Sequence, residues 1–266
     1  MLGENSNHDA SLVRPVSRLL VEYEGTEFSG WARQPGRRTV QAELERALCV
    51  VLRRDAISLT VAGRTDAGVH AWAQVASYEG DPARPDSLNA LLPYDVAVLE
   101  CDAAEPGFDA RRDATSRAYC YRILTRPARS ALERRRALHW PGPLELAGLQ
   151  RCASALVGTH DFTAFTPTET DHVRFSRDVF AASWRSPGVD LLEFWIEADS
   201  FMRNMNRVLV GTMLDVGRGR RSPAAFTELL GGRPRSEAGV TTPPHGLHLA
   251  GVGYGGARLL PDNRTG

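Results

Sequence analysis

The densest group of chemically capable residues is Ala62-Gly63-Arg64-Thr65-Asp66-Ala67-Gly68-Val69-His70-Ala71. It connects two runs that read as strands, so its polar side chains are presented rather than packed away. The Asp66 carboxylate is ionised at neutral pH without assistance, its ordinary pKa being about 3.9. An Asp-Ala-Gly triplet taken alone is more often only a tight turn, because Asp and Gly both favour turns. Use of Asp66 as a glycosidase-type nucleophile calls for a second, acid–base carboxylate nearby, and none stands out in the loop.

What the chain lacks narrows the chemistry. It contains no lysine, so all 32 basic residues are arginine; this excludes Schiff-base catalysis and a P-loop lysine. Cys49, Cys101, Cys120 and Cys152 form no CxxC pair, which argues against a zinc knuckle or a secreted disulfide framework. His245 with His248, or Asp66 with His70, supplies too few ligands for a metal. Gly251, Gly253, Gly255 and Gly256 form no strand-to-helix phosphate loop. No apolar run reaches the roughly 20 residues that span a bilayer. Residues 1–13 show no signal-peptide core and are expected to be a disordered lead, so a cytoplasmic location is expected.

Net charge is zero and points to no partner. Arg111, Arg112, Arg117, Arg122, Arg126, Arg129, Arg134, Arg135 and Arg136, however, are opposed in that stretch only by Asp113 and Glu133. Such a run suits a phosphate backbone, or is a solvated arginine-rich loop.

The elements that must position these residues follow from apolar periodicity. Strands are predicted at Val16 to Tyr23, Ile57 to Ala62, Trp72 to Tyr78 and Val96 to Asp102. Thr39 is expected to cap a helix with Val40, Leu44, Ala47, Leu48, Val51 and Leu52 on one face. Asp86 to Leu92 is a short helix. The second half repeats this order: strand Ser116 to Leu124, helix Leu144 to Val157, strands Arg177 to Trp184 and Leu191 to Ala198 turned at Ser186-Pro187-Gly188, helix Met202 to Val216, strand Leu247 to Tyr254. An extra helix at Pro223 to Leu230 precedes that last strand. Each half therefore reads β-α-β-β-α-β, the split order of a ferredoxin-like unit. The expected organisation is a lead at 1–13, one half at 14–107, a second at 108–256 and a tail at 257–266. The fold class is α+β, two ferredoxin-like halves with joined antiparallel sheets and a central catalytic cleft.

The whole string around Asp66 resembles the catalytic motif of TruA-type tRNA pseudouridine synthases, and the resemblance runs along nearly the whole chain. Tyr23-Glu24-Gly25-Thr26-Glu27-Phe28-Ser29-Gly30-Trp31 with Thr39-Val40-Gln41 matches that family's opening. Leu88-Asn89-Ala90-Leu91-Leu92-Pro93 matches its middle signature, and Phe108-Asp109-Ala110-Arg111 leading to Arg117-Ala118-Tyr119-Cys120-Tyr121 its second half. Asp161-Phe162, then Phe201, Met205, Arg207 and Gly211, then Gly246-Leu247-His248-Leu249 complete it.

The resemblance implies an isomerase that turns uridine into pseudouridine at tRNA positions 38 to 40, in the anticodon arm. It implies that Asp66 is the nucleophile, that Tyr119 packs on the uracil and that Arg207 pairs with the aspartate. Leu247 would line the pocket and Arg64 help extrude the base. It further implies a homodimer with basic clefts for tRNA. The reaction conserves every atom, so no cofactor and no metal are expected. Three positions depart from the pattern: Glu24 stands where Asp is usual, Ala32 where Gln is usual, and Asn206 where Val is typical. The rival reading is a non-catalytic RNA-binding protein on the same scaffold, which would tolerate loss of Asp66.

Overall fold

The computed structural model describes residues 14–170 and 173–261; the expected lead at 1–13 lies outside them. β1 (Val16–Tyr23) turns Ser17, Leu19, Val21 and Tyr23 inward, the period-2 alternation of a half-buried strand. α1 (Val40–Leu52) buries Val40, Leu44, Ala47 and Leu48 on one face, each leucine contributing roughly 1.5–3 kcal/mol by leaving water. Thr39 takes the N-cap position through its backbone alone. Its carbonyl accepts from the Glu43 N–H at 3.3 Å, while its hydroxyl makes no capping bond.

β2 (Thr60–Val61) is far shorter than the predicted Ile57 to Ala62. The Leu59 N–H donates to the buried Glu45 carboxylate of α1 at 3.1 Å, and a backbone N–H engaged there cannot extend a ladder. Ile57 and Leu59 are buried nonetheless. β3 (His70–Glu79), α2 (Pro85–Asn89) and β4 (Val96–Ala104) complete the half. β1 lies between β3 and β4, and β2 pairs with β3, every pair antiparallel. This is the ferredoxin-like arrangement.

The second half comprises β5 (Ala114–Leu124), β6 (Leu138–His139), α3 (Leu146–Leu156), β7 (Gly158–Asp161), β8 (Ser176–Gly188), β9 (Leu191–Ala198), α4 (Met205–Gly217), α5 (Pro223–Glu228) and β10 (Leu247–Tyr254). Its strands run β10-β5-β9-β8, with β7 added at the edge and β6 against β5. The short β6 and β7 carry too few residues to show a period. The expected turn at Ser186-Pro187-Gly188 lies inside β8, where Pro187 falls in a register shift between Arg185 and Gly188; a bulge tolerates the missing N–H. The chain reverses instead at Val189 and Asp190. α4 begins at Met205 rather than Met202, because Asn204 adopts a left-handed φ of 61° and the helix can start only after it. In the tail, the Leu259 and Leu260 N–H groups donate to the buried Glu197 carboxylate.

All named strands belong to one sheet, and the two halves meet where β3 runs parallel to β10, pairing His70 with His248 and Ala71 with Leu249. Within each half the long strands are antiparallel neighbours and only the two-residue β6 lies parallel, to β5, whereas the junction between the halves is parallel. The short β2 explains the seam. It occupies the edge of β3 only at Ala76 and Ser77, which leaves the start of β3 open for β10. The segment 62–69 leaves the sheet at the fork between β2 and β10.

Candidate active site

Backbone and side-chain bonds from both halves hold the loop 62–69. Gln74, fully buried in β3, donates to the Gly63 carbonyl at 2.8 Å and to the Tyr23 hydroxyl at 3.3 Å. Tyr23 in turn meets the Thr65 hydroxyl at 2.8 Å. Burial pushes the Tyr23 phenol up to about 12, outweighing the bonds to Thr65 and Gln74 that lower it, so it stays neutral. The Trp31 backbone N–H donates to the Thr65 carbonyl at 3.1 Å, and the Val69 backbone N–H closes a turn onto the Asp66 carbonyl at 3.1 Å. Gly30 is required at this crossing. Its φ is +95°, and a Cβ there would lie 2.9 Å from the Thr65 carbonyl oxygen.

Arg117, reaching over from β5, clamps the same loop. It donates to the Ala62 carbonyl from Nε at 3.1 Å and from Nη2 at 2.6 Å. Its other N–H groups bond the carbonyls of Ala114, Asp199 and Arg111. Burial lowers its pKa, though not enough to discharge a guanidinium. Arg117 is therefore a brace, not one of the phosphate contacts that the arginine run suggested. Its role had a signal in the sequence: it stands two residues before Tyr119 on one strand, hence on the same face.

Beside this loop opens a cleft of about 810 Å³, within the usual range of about 300–1,000 Å³ for ligand sites. Asp66, Arg64, Tyr119 and Leu247 all line it. Asp66 is half-buried and Arg64 exposed. Tyr119 is 8% exposed, and its ring meets Phe201 edge-on at 5.0 Å. Burial raises the Tyr119 pKa, and the nearby Tyr23 and Asp66 add to the rise, so Tyr119 presents a neutral ring. Leu247 opens β10 opposite Tyr121. Tyr121 is core: fully buried, with its hydroxyl donated to the Pro243 carbonyl at 2.8 Å.

Arg207 differs from its expected place. It stands behind the lining of the cleft, and its guanidinium donates to the Thr242 carbonyl at 2.7 Å and to Asn204 Oδ1 at 2.9 Å. Asp66 acts on it through space, opposing the fall in pKa that burial imposes. The close ion pair is absent because those two acceptors already fix the guanidinium. Gly211 permits this geometry: a Cβ there would lie 1.9 Å from the Val240 carbonyl oxygen, so only glycine lets the segment before Thr242 cross α4.

The arginine run is divided in the folded chain. Arg122 is paired with Glu133 and Glu193, and Arg135 with Glu24 and Glu27. Arg111 lines the cleft, where Arg64 and Arg203 join it from elsewhere in the sequence. Asn204 and Asn206 also line it. The histidines near the seam serve packing. His70 Nδ1 accepts from the Gly25 N–H at 2.9 Å and Nε2 faces the His245 carbonyl at 3.1 Å. The His70 ring stacks on His248 at 4.7 Å. Burial lowers the pKa of both.

The model of a protein family described as tRNA pseudouridine synthase matches residues 19–97 and 152–255. Curated relatives agree. A tRNA pseudouridine synthase A of Corynebacterium glutamicum is 42% identical over 265 residues, covering 92% of this chain and 91% of that protein. The one from Bacillus subtilis is 39% identical over 243 residues, covering 89% and 98%, and the one from a Geobacillus strain is 39% identical over 242, covering 89% and 97%. Identity at this level over nearly full length, with an aspartate-bearing loop at the cleft, leaves one conclusion: the chain belongs to the tRNA pseudouridine synthase family.

Proposed function

We propose that this synthase isomerises uridine in the anticodon arm, at tRNA positions 38 to 40, with Asp66 as the nucleophile. The observation that carries the assignment is the position of Asp66, a half-buried carboxylate on the wall of the cleft, facing the space that Tyr119 and Leu247 also line. The target base leaves its stack, as chemistry on a base within folded RNA requires, and Tyr119 offers a ring face to receive it. The N1–C1′ bond breaks, the base turns, and C5 bonds to C1′. The proton lost from C5 is balanced by the one gained at N1. Attack by the carboxylate at C1′ or at C6 makes the same demands: an ionised oxygen, a fixed loop and a pocket that excludes water. Arg117 and Gln74 fix the loop. Arg64, Arg111 and Arg203 at the cleft are suited to RNA phosphates.

The test is position-resolved mapping of pseudouridine in tRNA transcript incubated with purified protein alone, wild type beside Asp66→Asn. Wild type is expected to modify the anticodon arm. The variant should lose about 10⁴-fold or more in rate, as removal of a nucleophile does, with tRNA affinity within a few fold because phosphate contacts dominate binding. Product from the variant at wild-type rate refutes the nucleophile, and product confined to another arm refutes the substrate assignment.

A further inference from the structure

The first turn of α4 carries a side chain that the reading above does not use. Asn206 is 4% exposed and lines the cleft, as do Asn204, Met205 and Leu247. Its Oδ1 is buried and has no hydrogen-bond partner. Asn204 Oδ1 accepts from Arg207, and the Thr242 hydroxyl donates to the Arg207 carbonyl at 2.9 Å. A buried carbonyl without a donor is costly to keep. An apolar side chain would fill this helix position without that cost. The orphaned amide therefore points to a donor that arrives with the ligand.

We propose that Asn206 is a substrate-binding residue that accepts a hydrogen bond from N3–H of the target uracil, its Nδ2 group lying toward a flanking carbonyl. The inference rests on the reading of this cleft as the uridine site. Uracil offers an imide edge, one N–H donor between two carbonyl acceptors, and a carboxamide offers the complementary acceptor and donor. The isomerisation itself favours this contact. To replace N1 by C5 at C1′, the detached ring makes a half-turn about the axis through N3 and C6. That turn exchanges C2=O with C4=O and leaves N3–H where it was. An acceptor at N3–H thus holds the pivot before and after the turn, while the flanking amide donor meets a carbonyl in both orientations.

The experiment uses full-length protein and ligated tRNAs carrying uridine or 3-methyluridine at one target position; the methyl group removes the N3 donor and keeps both carbonyls. Wild type should bind the uridine tRNA about 10-fold more tightly, the factor one neutral hydrogen bond to an otherwise unpaired group supplies. Asn206→Val should bind the two alike and form pseudouridine about 10-fold more slowly in a single turnover, at an unchanged or raised melting temperature. Asn206→Ala serves as the second variant if the valine does not fold. Equal affinities of wild type for the two tRNAs, or a variant that keeps the wild-type rate and discrimination, overturns the proposal. Failure of wild type to form pseudouridine on the uridine tRNA would instead overturn the reading on which it rests.

Discussion

The two halves share an element order but treat the step from their second to their third strand in opposite ways. In the second half β8 is 13 residues long and turns directly into β9 through Val189 and Asp190. In the first half β2 has two residues, and the connection widens into the loop that presents Asp66. Side chains bond the loop carbonyls there, Gln74 at Gly63 and Arg117 at Ala62, and Tyr23 meets the Thr65 hydroxyl. A plain hairpin satisfies its backbone locally. A loop that must offer a carboxylate to a ligand has its backbone satisfied by distant residues, because buried polar backbone must be paired somewhere. The comparison implies that the loop side of the fold is sensitive to single substitutions to which the hairpin side is indifferent.

Arg117→Ala should break the comparison most severely. It removes five bonds to carbonyls at once and is expected to cost about 3 kcal/mol of stability, since charge-assisted bonds exceed neutral ones. Turnover should fall with it, and Arg117→Lys should not restore either, lacking the planar fork. Denaturant melts and single-turnover rates check this; a substitution as mild as Asp190→Ala in the hairpin, expected within about 0.5 kcal/mol, would place the brace elsewhere.

Gly30→Ala comes next. The left-handed φ and the approach to the Thr65 carbonyl should cost about 1–3 kcal/mol and displace the loop, lowering kcat more than it raises KM. Gly188→Ala meets nothing within 4 Å and should leave stability and rate unchanged. Similar melting temperatures for the two variants would show that the crossing of Gly30 over the loop is not tight in solution.

Tyr23→Phe is the gentler probe of the same loop. It deletes the hydroxyl between Thr65 and Gln74, at about 1 kcal/mol, with a modest loss of rate. A variant as stable as wild type would mean that Thr65 and Gln74 find each other without it.

Acid should act on the seam where the two halves meet. His70 and His248 have folded-state pKa values below the ordinary 6.5, through burial. The unfolded chain then binds more protons as pH drops below about 6.5. The stability tied to their neutral forms is therefore complete above about 6.5 and is lost as pH falls toward the lowered folded values. Melting temperatures measured from pH 7.5 to 5 should decline over that span, and less so in His248→Phe. A decline of equal size in the variant would assign the acid sensitivity to other groups.

Much of the fold was legible because burial has a period. The alternation in Val16 to Tyr23 and the single apolar face of Val40 to Leu52 are local patterns, and the structure returns the same elements. The expected strand at Ile57 to Ala62 was misleading for an instructive reason: its apolar residues are buried, but Glu45 takes the Leu59 N–H. Periodicity records which side chains leave water and is silent on which acceptor a backbone donor finds. The same blindness applied to Asn204, whose left-handed backbone delays α4.

The sequence by itself determined the order of the main elements and the placement of Asp66 between two strands. These depend on side-chain type and on neighbours a few residues away. Only the tertiary structure decided that β10 joins β3, that Arg207 is held by Thr242 and Asn204 rather than by Asp66, and that Arg117 braces the loop instead of meeting phosphate. Arg117 finds Ala62 at a separation of 55 residues and Asp199 at 82. A guanidinium can satisfy its five donors on any carbonyls that the fold brings within reach, and which carbonyls those are is set by the packing of the whole sheet.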